Sequence, residues 1–386
     1  MSRRFLLVLS LLTLSLFAAE AFVPSHVCSK CHPLIYQEYM GSMHRNASVV
    51  NDPVHAAVWN KHPLKAKGKY KCAACHSPSD TALMEALKRG EPALPKPDRV
   101  QKEEPIGCAY CHRIQKIEER EVHNVNVLEP KKRRYFAAKQ GKTADKTVKF
   151  HSTSSFFGLS HKTEGSPFHV IDYTNPIFTN GEMCMGCHSH KRNKKGFAVC
   201  ETKGKPGKAK KNCIECHMPQ VPGSLSTITS SRTHAFHGFA GVHNGAERLA
   251  KTIGLKAYPE NGRLVVTIVN EANHRLFNHP LRLGRLKVEV NRDGRALSPD
   301  PVDFYTVLGH DGKPSMPWVA DQIVKSRTIE ANGKTRVEIP FEIRKGDRVT
   351  VTLGYFVVNP KAAEKLGIAD ESLRSFRPLK SETFRF

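Results

Sequence analysis

Five short cysteine motifs constrain this chain more strongly than any other feature of its sequence. Each motif reads Cys-x-x-Cys-His, and together the five use ten of the eleven cysteines. A single Cys-x-x-Cys pair also occurs in thiol redox sites, and two pairs can build a Cys₄ zinc site. Histidine accounts for 20 of the 386 residues, so its occurrence after all five pairs by chance has a probability on the order of 10⁻⁷. A shared chemistry that needs the histidine is therefore indicated.

The spacing within the motifs is that of covalent haem attachment. Two thiols three positions apart form thioethers with the two vinyl groups of one haem, and the adjacent histidine lies beneath the iron as its proximal ligand. We therefore predict five covalently bound haem c groups. The attachment cysteines are Cys28 and Cys31, Cys72 and Cys75, Cys108 and Cys111, Cys184 and Cys187, and Cys213 and Cys216. The proximal ligands are His32, His76, His112, His188 and His217.

Cys200 is the remaining cysteine. It combines with Cys216 and His217 into a Cys-x₁₅-Cys-His pattern, which resembles an unusual haem motif of some octahaem sulfite reductases. The ordinary motif that begins at Cys213 uses the same Cys216 and His217, so only one of the two motifs can operate. We favour the ordinary motif, which leaves Cys200 outside haem attachment.

Residues 1–21 have the features of a cleaved signal peptide. Arg3 and Arg4 provide the positive start, and residues 5–19 form a short apolar run. Small residues at Ala19 and Ala21 fit a cleavage site, so we expect the mature chain to begin at Phe22. The apolar run is shorter than the roughly 18 residues that a membrane-spanning helix needs. The mature protein is therefore expected to be exported, to the periplasm or the cell exterior.

Fifteen histidines remain outside the motifs and supply candidates for the sixth iron ligands. A second histidine gives six-coordinate, low-spin haem, which suits electron transfer, whereas an open position suits catalysis. The segment Tyr36-Gln-Glu-Tyr39-Met-Gly-Ser42-Met-His44 resembles the aromatic-x-x-aromatic-x-x-Ser-x-His segment of multihaem cytochromes related to hydroxylamine oxidoreductase and its tetrahaem partner cytochromes. In that group the histidine is a distal haem ligand. The resemblance implies the same role for His44, with Tyr39 in place of the usual Trp.

A second segment, Thr233-His234-Ala-Phe236-His237, resembles the Ser/Thr-His-x-Phe segment that follows the last motif in the same group. The resemblance implies ligation by His234, with His237 beside it as a further candidate. The long gap between the third and fourth motifs supplies the next candidates, His123, His161 and His169. Weaker candidates are His26, His55, His62, His151, His190 and His243. No motif ends in Cys-x-x-Cys-Lys, the signature of the catalytic haem in the common multihaem nitrite reductases.

The chain is predicted to be an α+β protein with two regions. Residues 22–245 contain all five motifs and read as short helices and loops, most clearly helical at 54–60 and 80–88, so a stack of haems is expected to form their core. Residues 246–386 contain no cysteine and show the β-branched alternation of strands. The predicted strands are 263–270, 286–291, 335–343 and 348–358. They indicate a small antiparallel β-sandwich.

The start of the second region resembles a segment in the C-terminal sandwiches of multihaem cytochromes. That segment reads Asn…Gly-His-x-Phe-Pro-Thr-Gly…Arg, and the matching positions in this chain are Asn270, His274 and Arg282. The Pro-Thr-Gly of the segment is missing here. The sequence therefore assigns no role to His274.

The chain is strongly basic, with a formal net charge of +24. Five haems add about ten propionate carboxylates, so the haem-loaded protein is still basic. Export makes nucleic acid an unexpected partner, and the Lys/Arg-rich stretch 191–212 reads as a solvated loop. We expect redox protein partners with acidic docking surfaces, or an anionic substrate.

These observations predict an exported electron carrier rather than a catalyst, and no catalytic residue is assigned. Electrons would pass along the five haems between a membrane quinol dehydrogenase, with which the chain associates peripherally, and a terminal acceptor or reductase. Two alternatives stay open. One is an oxidoreductase in which one haem with an open coordination position acts on a nitrogen or sulfur oxyanion. The other is a subunit of an extracellular cytochrome filament.

Overall fold

A computed structural model describes residues 22–138, 146–154, 161–202 and 211–386, with the backbone alone at 161 and 162. The predicted signal peptide, residues 1–21, lies outside the described residues. The chain divides into two compact units, of which the first comprises Met1–Val27 and His44–Cys111 and the second comprises Cys28–Met43 and His112–Phe386. The boundary between residues 245 and 246 that the sequence suggests stays a prediction.

Short helices with capped N-termini build the first unit. Asp52, Asp80 and Asp98 each accept a backbone N–H from the first turn of the helix that follows, which satisfies donors that every helix start leaves open. Trp59 and Tyr70 belong to its small apolar core. The helices are Pro53–Asn60, Ala73–His76, Thr81–Lys88, Arg99–Glu103 and Cys108–Cys111, with Ser25–Cys28 leading into the second unit. The two helices expected from the sequence, 54–60 and 80–88, are thus present.

The second unit begins with short helices and short strand pairs. Its helices before residue 245 are Pro33–Met40, Ile177–Asn180, Met185–His188 and Cys213–His217, with a 3₁₀ turn at Glu182–Cys184. Its antiparallel pairs are Ile114–Glu118 with Val125–Leu128, His151–Ser154 with His161–Glu164, His190–Arg192 with Ala198–Glu201, and Gln220–Pro222 with Thr233–Ala235. In a further small sheet, Val170–Asp172 lies between Arg134–Phe136 and Thr147–Val148. The sequence predicted helices and loops here, because strands of two to five largely polar residues show little hydrophobic alternation.

Two antiparallel sheets follow in the same unit. The smaller sheet has the order Ile253–Glu260, Arg263–Asn270, Gly333–Ile339. The larger sheet has seven strands, and its main path is Lys313–Pro314, Val302–His310, Leu283–Arg292, Arg348–Phe356, Arg377–Arg385. Arg295–Leu297 pairs with Leu283–Arg292, and Gln322–Arg327 pairs with Val302–His310. Short 3₁₀ turns precede the sheets at Ala246–Arg248 and Ala250–Thr252, and helices Pro360–Leu366 and Glu371–Arg374 lie between the last two strands.

One apolar cluster lies between these two sheets. Leu264, Val266 and Ile268 of the smaller sheet and Leu286 and Val288 of the larger sheet are buried in it. Their spacing of two follows from the alternation of side chains along a strand, which presents every second residue to the facing sheet. The predicted strands are observed close to their expected positions, except that 335–343 ends early, at Ile339.

Tight turns join several of the strands. Asp293 and Gly294 connect Leu283–Arg292 to Arg295–Leu297 and have φ angles of 49° and 79°. Positive φ at both central residues is the type I′ geometry that matches the twist of a hairpin, and Asp-Gly adopts it readily. The described chain is thus a mixture of helix and mostly antiparallel sheet, which agrees with the α+β prediction; the strands Arg134–Phe136 and Val170–Asp172 pair in parallel. None of its described helices is long and apolar enough to cross a bilayer.

Candidate haem-attachment sites

Each Cys-x-x-Cys-His motif contains a helical turn that brings its two thiols to one side. In the first two motifs the N–H of the second cysteine bonds the carbonyl of the first, at 3.1 Å in both, and the histidine N–H bonds the same carbonyl at 2.9 Å. The later motifs lie in or beside Cys108–Cys111, Met185–His188 and Cys213–His217. Residues three apart on a helix share a face. All eleven cysteines belong to the described chain, and none of them forms a disulfide.

Four of the five motif histidines use the same ring nitrogen, Nδ1, for a hydrogen bond to the protein backbone. In each of the four, Nδ1 donates a hydrogen bond to a backbone carbonyl of a distant residue. The acceptors are Leu225 for His32 at 2.6 Å, Ala47 for His76 at 3.2 Å, Phe136 for His112 at 2.7 Å and Ala240 for His217 at 2.6 Å. A proton on Nδ1 leaves the lone pair of a neutral imidazole on Nε2, which is the arrangement of a metal-ligating histidine. The residues at these motifs therefore fit a covalently attached haem.

The surroundings of these rings favour their neutral, metal-binding form. Burial lowers the pKa of His112, and it lowers the pKa of His76 to about 3, with the nearby His55 adding to the effect. A buried imidazole resists protonation because the charged form loses its hydration. Both shifts favour the neutral ring, whose Nε2 retains its lone pair.

Three motif histidines face a second histidine at a nearly constant distance. Their partners come from elsewhere in the second unit: the ring-centre distances are 6.5 Å for His32 and His169, 6.3 Å for His112 and His237, and 6.2 Å for His217 and His274. Metal–imidazole bonds are about 2 Å long and the ring centre lies about 1.1 Å behind the nitrogen, so two imidazoles on opposite sides of one iron have centres about 6.2 Å apart. The three pairs match this separation.

The second motif is arranged differently. The rings of His55 and His76 have centres 4.1 Å apart, which is too close for an iron between them. The Nδ1 atoms of both rings donate to the carbonyl of Ala47, and Nε2 of His55 accepts from the hydroxyl of Tyr70 at 3.3 Å. In this arrangement His55 supports His76 by contact and does not oppose it.

His234, which the family resemblance implies as a ligand, is buried and uses both ring nitrogens. Nδ1 lies 3.0 Å from the carbonyl of Gly223, and Nε2 lies 3.2 Å from a carboxylate oxygen of Glu38. Both neighbours carry hydrogen-bond acceptors, and the role of His234 as an iron ligand stays a prediction. The adjacent candidate His237 has its Nδ1 bonded to the carbonyl of Ala235 at 2.6 Å and faces His112 instead.

The structure gives the following surroundings for the other predicted ligands. His44 is half-buried in the turn after helix Pro33–Met40. His123 donates its Nδ1 to the carbonyl of Asn124 at 2.8 Å. The backbone of His161 begins a short strand, and its side chain lies outside the described residues. Sequence reasoning assigned nothing to His274, because the pattern around it is incomplete and its partner His217 is distant along the chain.

The fourth and fifth motifs are neighbours in space. A hydrogen bond with the thiol of Cys184 lowers the pKa of Cys213 to about 7, so these two attachment cysteines are in contact. Asn212 caps helix Cys213–His217 and also donates to the carbonyl of Thr179 at 3.0 Å. Gly181, at a φ of +80°, permits this approach, since a Cβ there would lie 3.1 Å from the backbone nitrogen of Cys213.

Cys200 lies away from any helical turn. It is exposed on strand Ala198–Glu201, where it pairs with Lys191 of the neighbouring strand. Cys213 and Cys216, by contrast, share the single helix Cys213–His217. The geometry therefore favours the ordinary motif at Cys213 over the fifteen-residue spacing from Cys200.

The comparisons with known proteins point to the same chemistry. A family model described as cytochrome c554 and c-prime matches residues 27–113, which contain the first three motifs. This part of the chain is therefore similar to the cytochromes of that family. The fold resembles the crystal structure of a penta-heme cytochrome c552 from Thermochromatium tepidum with a TM-score of 0.68 and 20% sequence identity, over 94% of this chain and 99% of that chain. No curated protein matches the sequence. The five motifs are those expected of covalent haem attachment.

Proposed function

We propose that this protein is an exported multihaem cytochrome c that transfers electrons through five covalently attached haems, between a membrane quinol dehydrogenase and a terminal acceptor or reductase. Haem supplies reversible one-electron transfer at its iron. The five Cys-x-x-Cys-His motifs support the number of haems. The signal-peptide features of residues 1–21 support export.

The observation that carries the proposal is the pairing of histidines across the motif sites. We assign His169 as the second ligand opposite His32, and His237 as the second ligand opposite His112, from ring-centre distances of 6.5 and 6.3 Å. Two imidazoles leave no iron position open to a substrate, and neither ligand changes with the redox state. This coordination favours electron transfer over catalysis at both sites.

Contacts between some neighbouring sites support electron transfer from one haem to the next. Burial lowers the pKa of His112 and of His237, and the nearby ring of His32 contributes to both shifts, so the first and third sites are adjacent. The thiols of Cys184 and Cys213 make the fourth and fifth sites adjacent. Such neighbours support a core of stacked haems, in which an electron moves between cofactors without leaving the protein.

Charge supports an acidic partner. The formal net charge of +24 exceeds the roughly ten negative charges that five haems bring as propionates. Opposite charge accelerates the encounter of two proteins, and salt screens that attraction. We expect electron exchange with an acidic redox protein to slow as the ionic strength rises.

Two measurements test the proposal. The mass of the denatured mature protein should equal that of residues 22–386 plus five haems, and four or fewer haems would remove at least one motif from the assignment. The paramagnetic resonance spectrum of the oxidised protein should contain only low-spin haem. A chain that retains its first 21 residues in the exported fraction would contradict the cleavage.

An oxidoreductase with one open haem is the second candidate, and the second motif favours it. His55 contacts His76 at 4.1 Å and does not oppose it at a ligand-pair distance. A high-spin haem in the purified protein, assigned to Cys72 and Cys75 by loss of the signal in a Cys72→Ser variant, would support this candidate. Binding of nitrite or sulfite at that haem would identify the substrate class.

A further inference from the structure

The fifth motif faces a histidine that belongs to a loop of residues 246–386, the sandwich region. The rings of His217 and His274 have centres 6.2 Å apart and planes inclined by 22°. His274 follows the strand Arg263–Asn270 of the smaller sheet. Its separation from His217 is the same, within 0.3 Å, as that of the other two facing pairs.

The side chain of His274 has the orientation of a ligand. Its Nδ1 donates to the carbonyl of Arg275 at 3.1 Å, which leaves the lone pair of the neutral ring on Nε2. His217 is arranged in the same way, with Nδ1 donating to the carbonyl of Ala240 at 2.6 Å. Both rings thus retain Nε2 as a donor for one metal.

The loop that carries His274 is held in place by the sheet beneath it. The buried side chain of Asn270 donates to the carbonyls of His274 at 3.0 Å and of Glu330 at 2.9 Å, and it accepts from the N–H of Ala272. Leu276 pairs with Ile329 through the backbone at 3.0 Å. A ligand fixed on a rigid element needs little ordering when the metal is bound.

We propose that His274 of the sandwich region is the sixth iron ligand of the haem attached at Cys213 and Cys216, opposite His217. The inference rests on the proposed attachment of a haem at this motif. It assigns the sandwich a direct part in the redox chain, because this region sets the coordination, and through it the potential, of the last haem.

Other contacts keep the sandwich in place independently of this bond. Asn193 donates to the carbonyls of Pro317 and Ala320 at 2.9 and 2.7 Å, and the hydroxyl of Tyr355 donates to the carbonyl of Val242 at 3.0 Å. Replacing His274 should therefore remove the ligand without detaching the region.

The test compares His274→Ala with the parent protein. Both should carry five haems, but one fifth of the haem in the variant should change from low-spin to high-spin. After reduction, that fraction should bind one equivalent of carbon monoxide. His274→Met should stay low-spin and raise the potential of a single haem, because a thioether ligand favours the ferrous state. This second variant keeps the test decisive if the alanine variant folds poorly.

His279→Ala is the matched control, since His279 is exposed on the same loop and should leave the spectrum unchanged. A His274→Ala protein with five haems and the parental resonance spectrum would overturn the inference. A peptide containing Cys213 and Cys216 that carries no haem in the parent protein would instead overturn the attachment on which the inference rests. The two failures are therefore distinguished by the same pair of samples.

Discussion

The sandwich region, residues 246–386, and the motif region, residues 22–245, of this protein are stabilised in different ways. Between the sheets, fifteen buried apolar residues form one continuous cluster. In the first unit, by contrast, the apolar cluster around Trp59 and Tyr70 has only five buried members. Alternating strands bury side chains against side chains, whereas short helical turns direct thiols and imidazoles toward a cofactor. In the sandwich region the alternation of side chains specifies the fold, whereas in the motif region we expect covalent haem attachment to do so.

The largest expected effect comes from removing one attachment site. Replacing Cys72 and Cys75 by serine should lower the haem count from five to four and expose the first unit, whose core is small, to proteolysis. The strands of the sandwich should stay protected. Mass spectrometry and limited proteolysis with peptide mapping measure both outcomes, and equal loss of protection in the two regions would break the comparison.

A core substitution should have the opposite pattern. Leu286 is fully buried between the sheets, and Leu→Ala in such a position costs about 2–5 kcal/mol of the free energy of unfolding. Denaturant unfolding followed by far-ultraviolet circular dichroism should report this loss, while haem count and spin state stay as in the parent. Ile323→Ala, at a position 55% exposed on an edge strand, should change stability by less than about 0.5 kcal/mol.

Glu38 tests how a proposed ligand of the motif region is supported, because its carboxylate contacts the segment that contains His237. It accepts the backbone N–H of His237 at 2.8 Å and contacts Nε2 of His234. Glu38→Ala should cost about 1–3 kcal/mol, because hydrogen bonds to a charged group are lost, and should broaden or shift the resonance signal of one low-spin haem. Glu38→Gln, which keeps an acceptor for the N–H of His237, should change that signal less. Identical spectra for all three proteins would remove Glu38 from the support of His237.

The smallest effect is expected at Cys200, which is exposed and lies outside the helical turns. Cys200→Ser should keep five haems and the parental spectrum, and it serves as the cysteine control for the variant at Cys72 and Cys75. The loss of one haem from this variant would mean that the fifteen-residue spacing to Cys216 is the operative one.

The sequence predicted those parts of the fold whose signals are local. Strand Arg263–Asn270 has the expected bounds, and the helix predicted over 80–88 begins one residue later because Asp80 is its cap. The small hairpins between the third and fifth motifs were missed. Pairs such as Ile114–Glu118 with Val125–Leu128 are too short to show a clear alternation, and they are stabilised by pairing with a neighbouring strand, which no local sequence pattern predicts.

The haem sites show the same difference between features with a local sequence signal and features that depend on distant residues. Attachment needs two thiols and a histidine within five residues of one helical turn, so the sequence alone predicts where it occurs. The opposing ligands depend on which distant segments meet. Resemblance indicates His234, whose Nε2 lies beside the carboxylate of Glu38, and the structure places the neighbouring candidate His237 opposite His112. His274 faces His217 only because two packed sheets carry its loop there. The spacing of the attachment residues can be read from the sequence. Which imidazole faces each motif histidine is determined by packing between residues far apart in sequence.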